Sequence, residues 1–191
     1  MTKTIWYIHG AYSSSRTFNW LKEQFPEHEV VNINYSSATP VRKVLDQLIE
    51  NAEREEGEFD VVGHSLGGIL AVALSQNSSK VQKVVTMSSP FGGSRTATWL
   101  QFLAPGSLFE DIQPFSRLLT DVRNTGTVKP TMSIITTGSA SPLMLERNDG
   151  VVTVRSQKAL KGPKYIETNL SHFEVLLDPD TATNITDFLW S

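Results

Sequence analysis

Residues 59–74 read FDVVGHSLGGILAVAL: an apolar, β-prone run passes through Gly-His-Ser-Leu-Gly into an Ala/Leu-rich stretch, with no loop between them. A chain that changes from strand to helix within one residue must turn sharply, and only small neighbours fit beside the turning residue. The five residues fit the G-x-S-x-G pattern of a nucleophile elbow, which lifts a serine hydroxyl above the end of a sheet. The elbow constrains the fold strongly, because a strand feeding directly into a helix is the opening half of a βαβ unit.

The rest of the chain repeats that alternation. Strands are expected over residues 3–9, 29–35, 59–63, 81–87, 131–137 and 164–168. Helices are expected near 16–25, after Pro40 on the face Val41, Val44, Leu45, Leu48 and Ala52, and over 66–76, 151–160 and 181–190. Ile112, Phe115, Leu118, Leu119 and Val122 also recur at helical spacing, inside a long connection broken by FGG, APG, NTG and KP. The pattern implies one domain over 1–191, a mostly parallel six-stranded sheet with helices on both faces. The connection over 91–129 is expected to form a small cap.

Composition narrows the function classes. The chain has 191 residues, a net charge of −3 and no basic stripe, so nucleic acid is not an expected partner. No apolar run approaches the roughly 20 residues of a membrane span. The opening residues MTKTIWYIHG carry no signal core or cleavage site, so the expected location is cytoplasmic. Cysteine is absent, which excludes disulfides and thiolate metal sites.

In a doubly wound sheet, ligands bind at the carboxyl ends of the strands. Loops there carry Ser65, Asp149 and His172. A serine hydroxyl needs a base to act as a nucleophile, and the base needs a carboxylate to hold its tautomer. Of the four histidines, His172 follows the last strand, where a loop can bring it to Ser65. His28, in a charged loop, is expected to be solvated, His9 to shape the first loop, and His64 to point away from the serine and pack. Asp149 in RNDGVV is the expected acid, with Glu146 as the reserve and Asp111 and Asp121 ranked lower.

The order Ser…Asp…His resembles the α/β-hydrolase fold, and more closely its small lipases and esterases. The resemblance rests on IHGAYSSS, VVGHSLGG, SSPFGGS, NDGVVTVRSQ and SHFEVL, with LAPGSLFEDI between them, and so runs over nearly the whole chain. It implies Ser65 as nucleophile, His172 as general base, Asp149 as acid, and an oxyanion hole from the backbone N–H groups of Ala11 and Leu66. It implies a minimal version of the fold, because the first strand begins at Lys3 and leaves no room for additional edge strands. Two residues depart from the family pattern: Ala11 where lipases often carry a larger apolar residue, and Ser171 where a glycine commonly precedes the histidine. The implied substrate is a small carboxylic ester with an apolar acyl group, cleaved without cofactor or metal. Thioester or amide hydrolysis and acyl transfer use the same machinery, and a non-catalytic binding module is the rival from another class. Tyr12, Phe91, Trp99, Leu100, Met144 and Leu145 are expected to line the acyl site, with Phe102 and Leu103 nearby.

Overall fold

The structure, a computed structural model, describes residues 2–93, 117–139 and 144–191. Among the described residues six strands form one sheet: β1 (Lys3–Ile8), β2 (His28–Ile33), β3 (Phe59–His64), β4 (Val81–Met87), β5 (Thr131–Thr136) and β6 (Lys164–Thr168). Their order is β2-β1-β3-β4-β5-β6, and every neighbouring pair is parallel. The sheet is therefore wholly rather than mostly parallel. β3 is buried at every position, which is what a central strand covered on both faces requires.

The period-2 alternation of the strands splits the core in two. Trp6, Ile8, Val61 and Val84 point to one face, beneath α2 (Val41–Arg54), α3 (Leu66–Asn77) and α4 (Arg117–Thr125). Ile5, Tyr7, Val62, Val85, Met87 and Ile134 point to the other, beneath α1 (Asn19–Glu23) and α6 (Pro179–Leu189). Between α4 and α6 in the chain lies the one-turn α5 (Val154–Gln157). α3 is buried from Leu66 to Ser75, so it is a core helix rather than an amphipathic surface one.

One expectation changes here. The helix expected over 151–160 is only α5, because the Val152 carbonyl accepts the Asp149 N–H at 3.1 Å and the Ser156 N–H bonds the Thr153 side chain, in place of a helical bond between Ser156 and Val152. Part of the expected cap, α4, packs Leu118, Leu119 and Val122 into the core. The remainder of that cap over 94–116, with Trp99, Leu100, Phe102, Leu103 and Asp111, lies outside the described residues.

Candidate active site

The chain runs from β1 to β2 on one side of the sheet and then crosses to β3 on the other. The crevice between the carboxyl ends of β1 and β3 is thus the topological switch point, where open α/β sheets bind ligands. Ser65 stands there, at the junction of β3 and α3, with φ 54° and ψ −121°. That left-handed φ is unfavourable for a residue bearing a Cβ, and such strain concentrates at functional sites. Its N–H is held by the Met87 carbonyl at 2.9 Å. The flanking glycines are obligatory on steric grounds. A Cβ on Gly63 would lie 2.4 Å from the Gly67 carbonyl oxygen, and one on Gly67 only 1.9 Å from that of Ile8.

The first loop packs directly against the serine: a Cβ on Gly10 would fall 3.0 Å from that of Ser65. Ala11 is next in the same loop, half-buried. Leu66 is the first residue of α3, so its N–H has no acceptor one turn back within the helix. His9 shapes this loop as expected. Its Nδ1–H donates to the Gly10 carbonyl at 2.7 Å, and its ring stacks on Tyr35 at 4.3 Å.

His172 and Asp149 meet across the sheet edge. The Nδ1 of His172 lies 2.8 Å from Asp149 Oδ2, and both side chains are buried. The backbone repeats the pairing, with the His172 N–H donating to the Asp149 carbonyl at 3.0 Å. Asp149 Oδ1 accepts from the N–H groups of Val151 at 2.9 Å and Val152 at 2.6 Å. Oδ2 also accepts from Thr136 Oγ1 at 2.6 Å and Gln157 Nε2 at 3.3 Å. Burial pushes the Asp149 carboxyl up, but the hydrogen bond and charge of His172, with the bonds from Thr136 and Val152, outweigh it and hold the group below the usual range. The donor set suits an ionised carboxylate that fixes the Nδ1–H tautomer of His172 and leaves Nε2 free for a proton.

The profile of the PGAP1-like alpha/beta domain matches residues 31–161, well over half of the chain. The chain belongs to the PGAP1-like alpha/beta domain family. Ser65 and Asp149 fall inside the matched segment of this PGAP1-like domain; Ala11 and His172 fall outside it. No curated protein matches the chain in sequence. Among solved structures, the mature lipase BlEst2 of Bacillus licheniformis superposes with a TM-score of 0.78 at 17% identity, covering 100% of this chain and 92% of its own. Lipase B of Aspergillus fumigatus gives 0.74 at 17% identity, covering 100% of this chain and 53% of its own. A Pyrococcus furiosus esterase gives 0.65 at 18% identity, covering 98% of this chain and 81% of its own. Together with the sheet order, these superpositions show that the PGAP1-like domain has the α/β-hydrolase fold.

The other expected site residues that the structure describes differ in exposure. Tyr12 is exposed, with φ 54°, and its N–H bonds Ser37 Oγ at 2.7 Å. Phe91, expected to line the acyl site, is wholly buried and belongs to the core cluster that holds residues of α3 and α4. Buried Met144 and exposed Leu145 border a hollow with Thr137, Arg147 and Asn169, beside the acid loop; Ser65 is not among its lining residues. Glu146 is exposed and lies 3.6 Å from Arg155. His28 is partly buried rather than free in solvent, taking a bond from the Tyr7 hydroxyl at 2.7 Å.

Four further residues stand around the histidine–carboxylate contact. His64 contacts His172 instead of packing elsewhere: its Nε2–H donates to the His172 carbonyl at 2.8 Å. Thr136, Gln157 and Ser88 surround the acid. The signal for the first two was their position, at the end of β5 and inside NDGVVTVRSQ, but neither residue type announces a role on its own. Ser88 shares the left-handed backbone of Ser65, at φ 53°, and is fully buried.

Proposed function

We propose that this chain is a serine hydrolase that cleaves carboxylic esters through Ser65, His172 and Asp149. The observation that carries the proposal is the pairing of a strained serine at the switch point with a buried histidine–carboxylate contact at the same end of the sheet. The structural neighbours, two lipases and an esterase, support the same reading.

In this reading Ser65 Oγ attacks the ester carbonyl carbon as its proton passes to His172 Nε2. The negative oxygen of the tetrahedral intermediate is stabilised by the N–H groups of Ala11 and Leu66, typically about 3–4 kcal/mol for one such donor. Collapse breaks the carbon–oxygen bond to the alcohol, which leaves with the proton from His172. Water then adds to the acyl-enzyme by the same route in reverse, releasing the acid and restoring Ser65. Asp149 stays ionised and stabilises the imidazolium in both halves.

A fluorophosphonate, which reacts with activated serines, tests the proposal. One covalent adduct on Ser65, absent in Ser65→Ala, is expected, together with hydrolysis of p-nitrophenyl butyrate dissolved as monomers. A folded protein that neither labels nor turns over the ester would instead favour a binding module.

A further inference from the structure

The acid is held by more than its histidine. Thr136 Oγ1, at the carboxyl end of β5, lies 2.6 Å from Asp149 Oδ2 and 2.8 Å from Ser88 Oγ, at the end of β4. Each hydroxyl has one hydrogen to give. An ionised carboxylate can only accept, so the Thr136 hydrogen goes to Asp149. Ser88 in turn gives its hydrogen to Thr136, since its other acceptor, the His172 carbonyl, is 3.5 Å away. Gln157 closes the arrangement: its Oε1 takes the Thr136 N–H at 2.9 Å, and its Nε2 reaches both the Thr136 carbonyl, at 2.9 Å, and Asp149 Oδ2. Ser88, Thr136, Gln157 and Asp149 are all buried. Chained donors of this kind polarise one another, and in a dry site each weighs more than it would in water.

We infer that Ser88 and Thr136 form a hydroxyl relay ending on Asp149 Oδ2 which, with Gln157, tunes the strength with which Asp149 holds a proton on His172. The inference rests on the hydrolase reading for its kinetic consequence, not for its structural one. Thr136 is a positioning residue: it shares Oδ2 with His172 and touches no substrate. Without its hydroxyl, the carboxylate standing alone beside a neutral imidazole loses more than the ion pair does. The pair therefore keeps its proton to higher pH. Among the described residues, the titratable ring packed against the pair is that of His64, from β3, 4.9 Å from that of His172. β5 and α5 present the uncharged Thr136 and Gln157, and Ser88, just after β4, reaches Asp149 through Thr136. On the acid loop, exposed Glu146 and Arg147 are turned to Arg155 at 3.6 Å and Glu167 at 3.5 Å.

The test compares Thr136→Val, Thr136→Ser and Ser88→Ala with the wild type, using two readouts. One is the pH profile of kcat/KM on a dissolved ester. The other is the pH titration of the His172 Nδ1 proton resonance by NMR, which needs no turnover. Thr136→Val should move the midpoint of both upward by about half to one pH unit, the scale of one donor to a carboxylate. Ser88→Ala should move it less and in the same direction, and Thr136→Ser should restore the wild-type midpoint. A Thr136→Val protein that loses rate equally at every pH, with an unmoved resonance, would overturn the inference. Should Thr136→Val not fold, an unmoved midpoint in Ser88→Ala would do the same. If the resonance moves in a protein that fluorophosphonate never labels, the relay stands and the hydrolase reading falls.

Discussion

His64 holds the backbone of His172: its Nε2–H donates to the His172 main-chain oxygen at 2.8 Å. The residue preceding the candidate nucleophile thus anchors the loop that carries the candidate base. The other ring nitrogen, Nδ1, is buried and has no hydrogen-bond partner among the described residues, which suits a neutral ring. Burial first, and then the charge of His172, push His64 down to about 3, against opposing contributions from the His172 carbonyl and Asp149.

That depression has a sign. Unfolded, His64 takes a proton near the ordinary histidine value of about 6.5; folded, it resists until about 3. The unfolded state therefore binds the extra proton across this window, and stability falls as pH drops through it. His64→Gln keeps an amide donor and removes the titration. Urea midpoints measured from pH 7 to pH 4 should fall less steeply in His64→Gln than in the wild type. Burial of His9 lowers its value as well, but His9 is common to both proteins and cancels. Parallel curves would mean that His64 is not held neutral.

Asp149→Asn should keep the fold, by circular dichroism, and lower kcat by about 10⁴-fold, the scale set when a triad carboxylate becomes an amide and the histidine tautomer is lost. Glu146→Gln should leave kcat near the wild-type value, because Glu146 is exposed and its neighbour Arg155 is exposed too. The reverse pattern would move the acid role to Glu146.

Phe91→Ala removes a fully buried ring from the core and should cost about 3–5 kcal/mol in denaturant unfolding. The ranking of esters by acyl-chain length should not change. A shifted ranking with little loss of stability would return Phe91 to the acyl site.

The elements were legible in the sequence where local pattern and burial agree. β4 and β6 have the expected ends, and β3 passes into α3 through Ser65 where GHSLG requires. The pattern misled where a side chain competed with the backbone. Residues 151–153 continue a helical spacing, but the Val152 carbonyl is taken by the Asp149 N–H, and the Thr153 side chain caps α5 by accepting the Ser156 N–H. The helix therefore begins only at Val154.

The candidate nucleophile, base and acid could be named from the sequence because each role demands a residue type in a particular loop, and chain order supplies the loops. The elbow is also determined locally, since Gly63, Ser65 and Gly67 meet within five residues. Their surroundings were decided by tertiary structure alone. His64 meets the His172 carbonyl across 108 residues, and Thr136 meets Ser88 across 48. Nothing in a histidine, a threonine or a glutamine declares its partner. The partner is chosen when the parallel sheet aligns the ends of β3, β4 and β5, and buried polar groups must then find one another or remain unpaired.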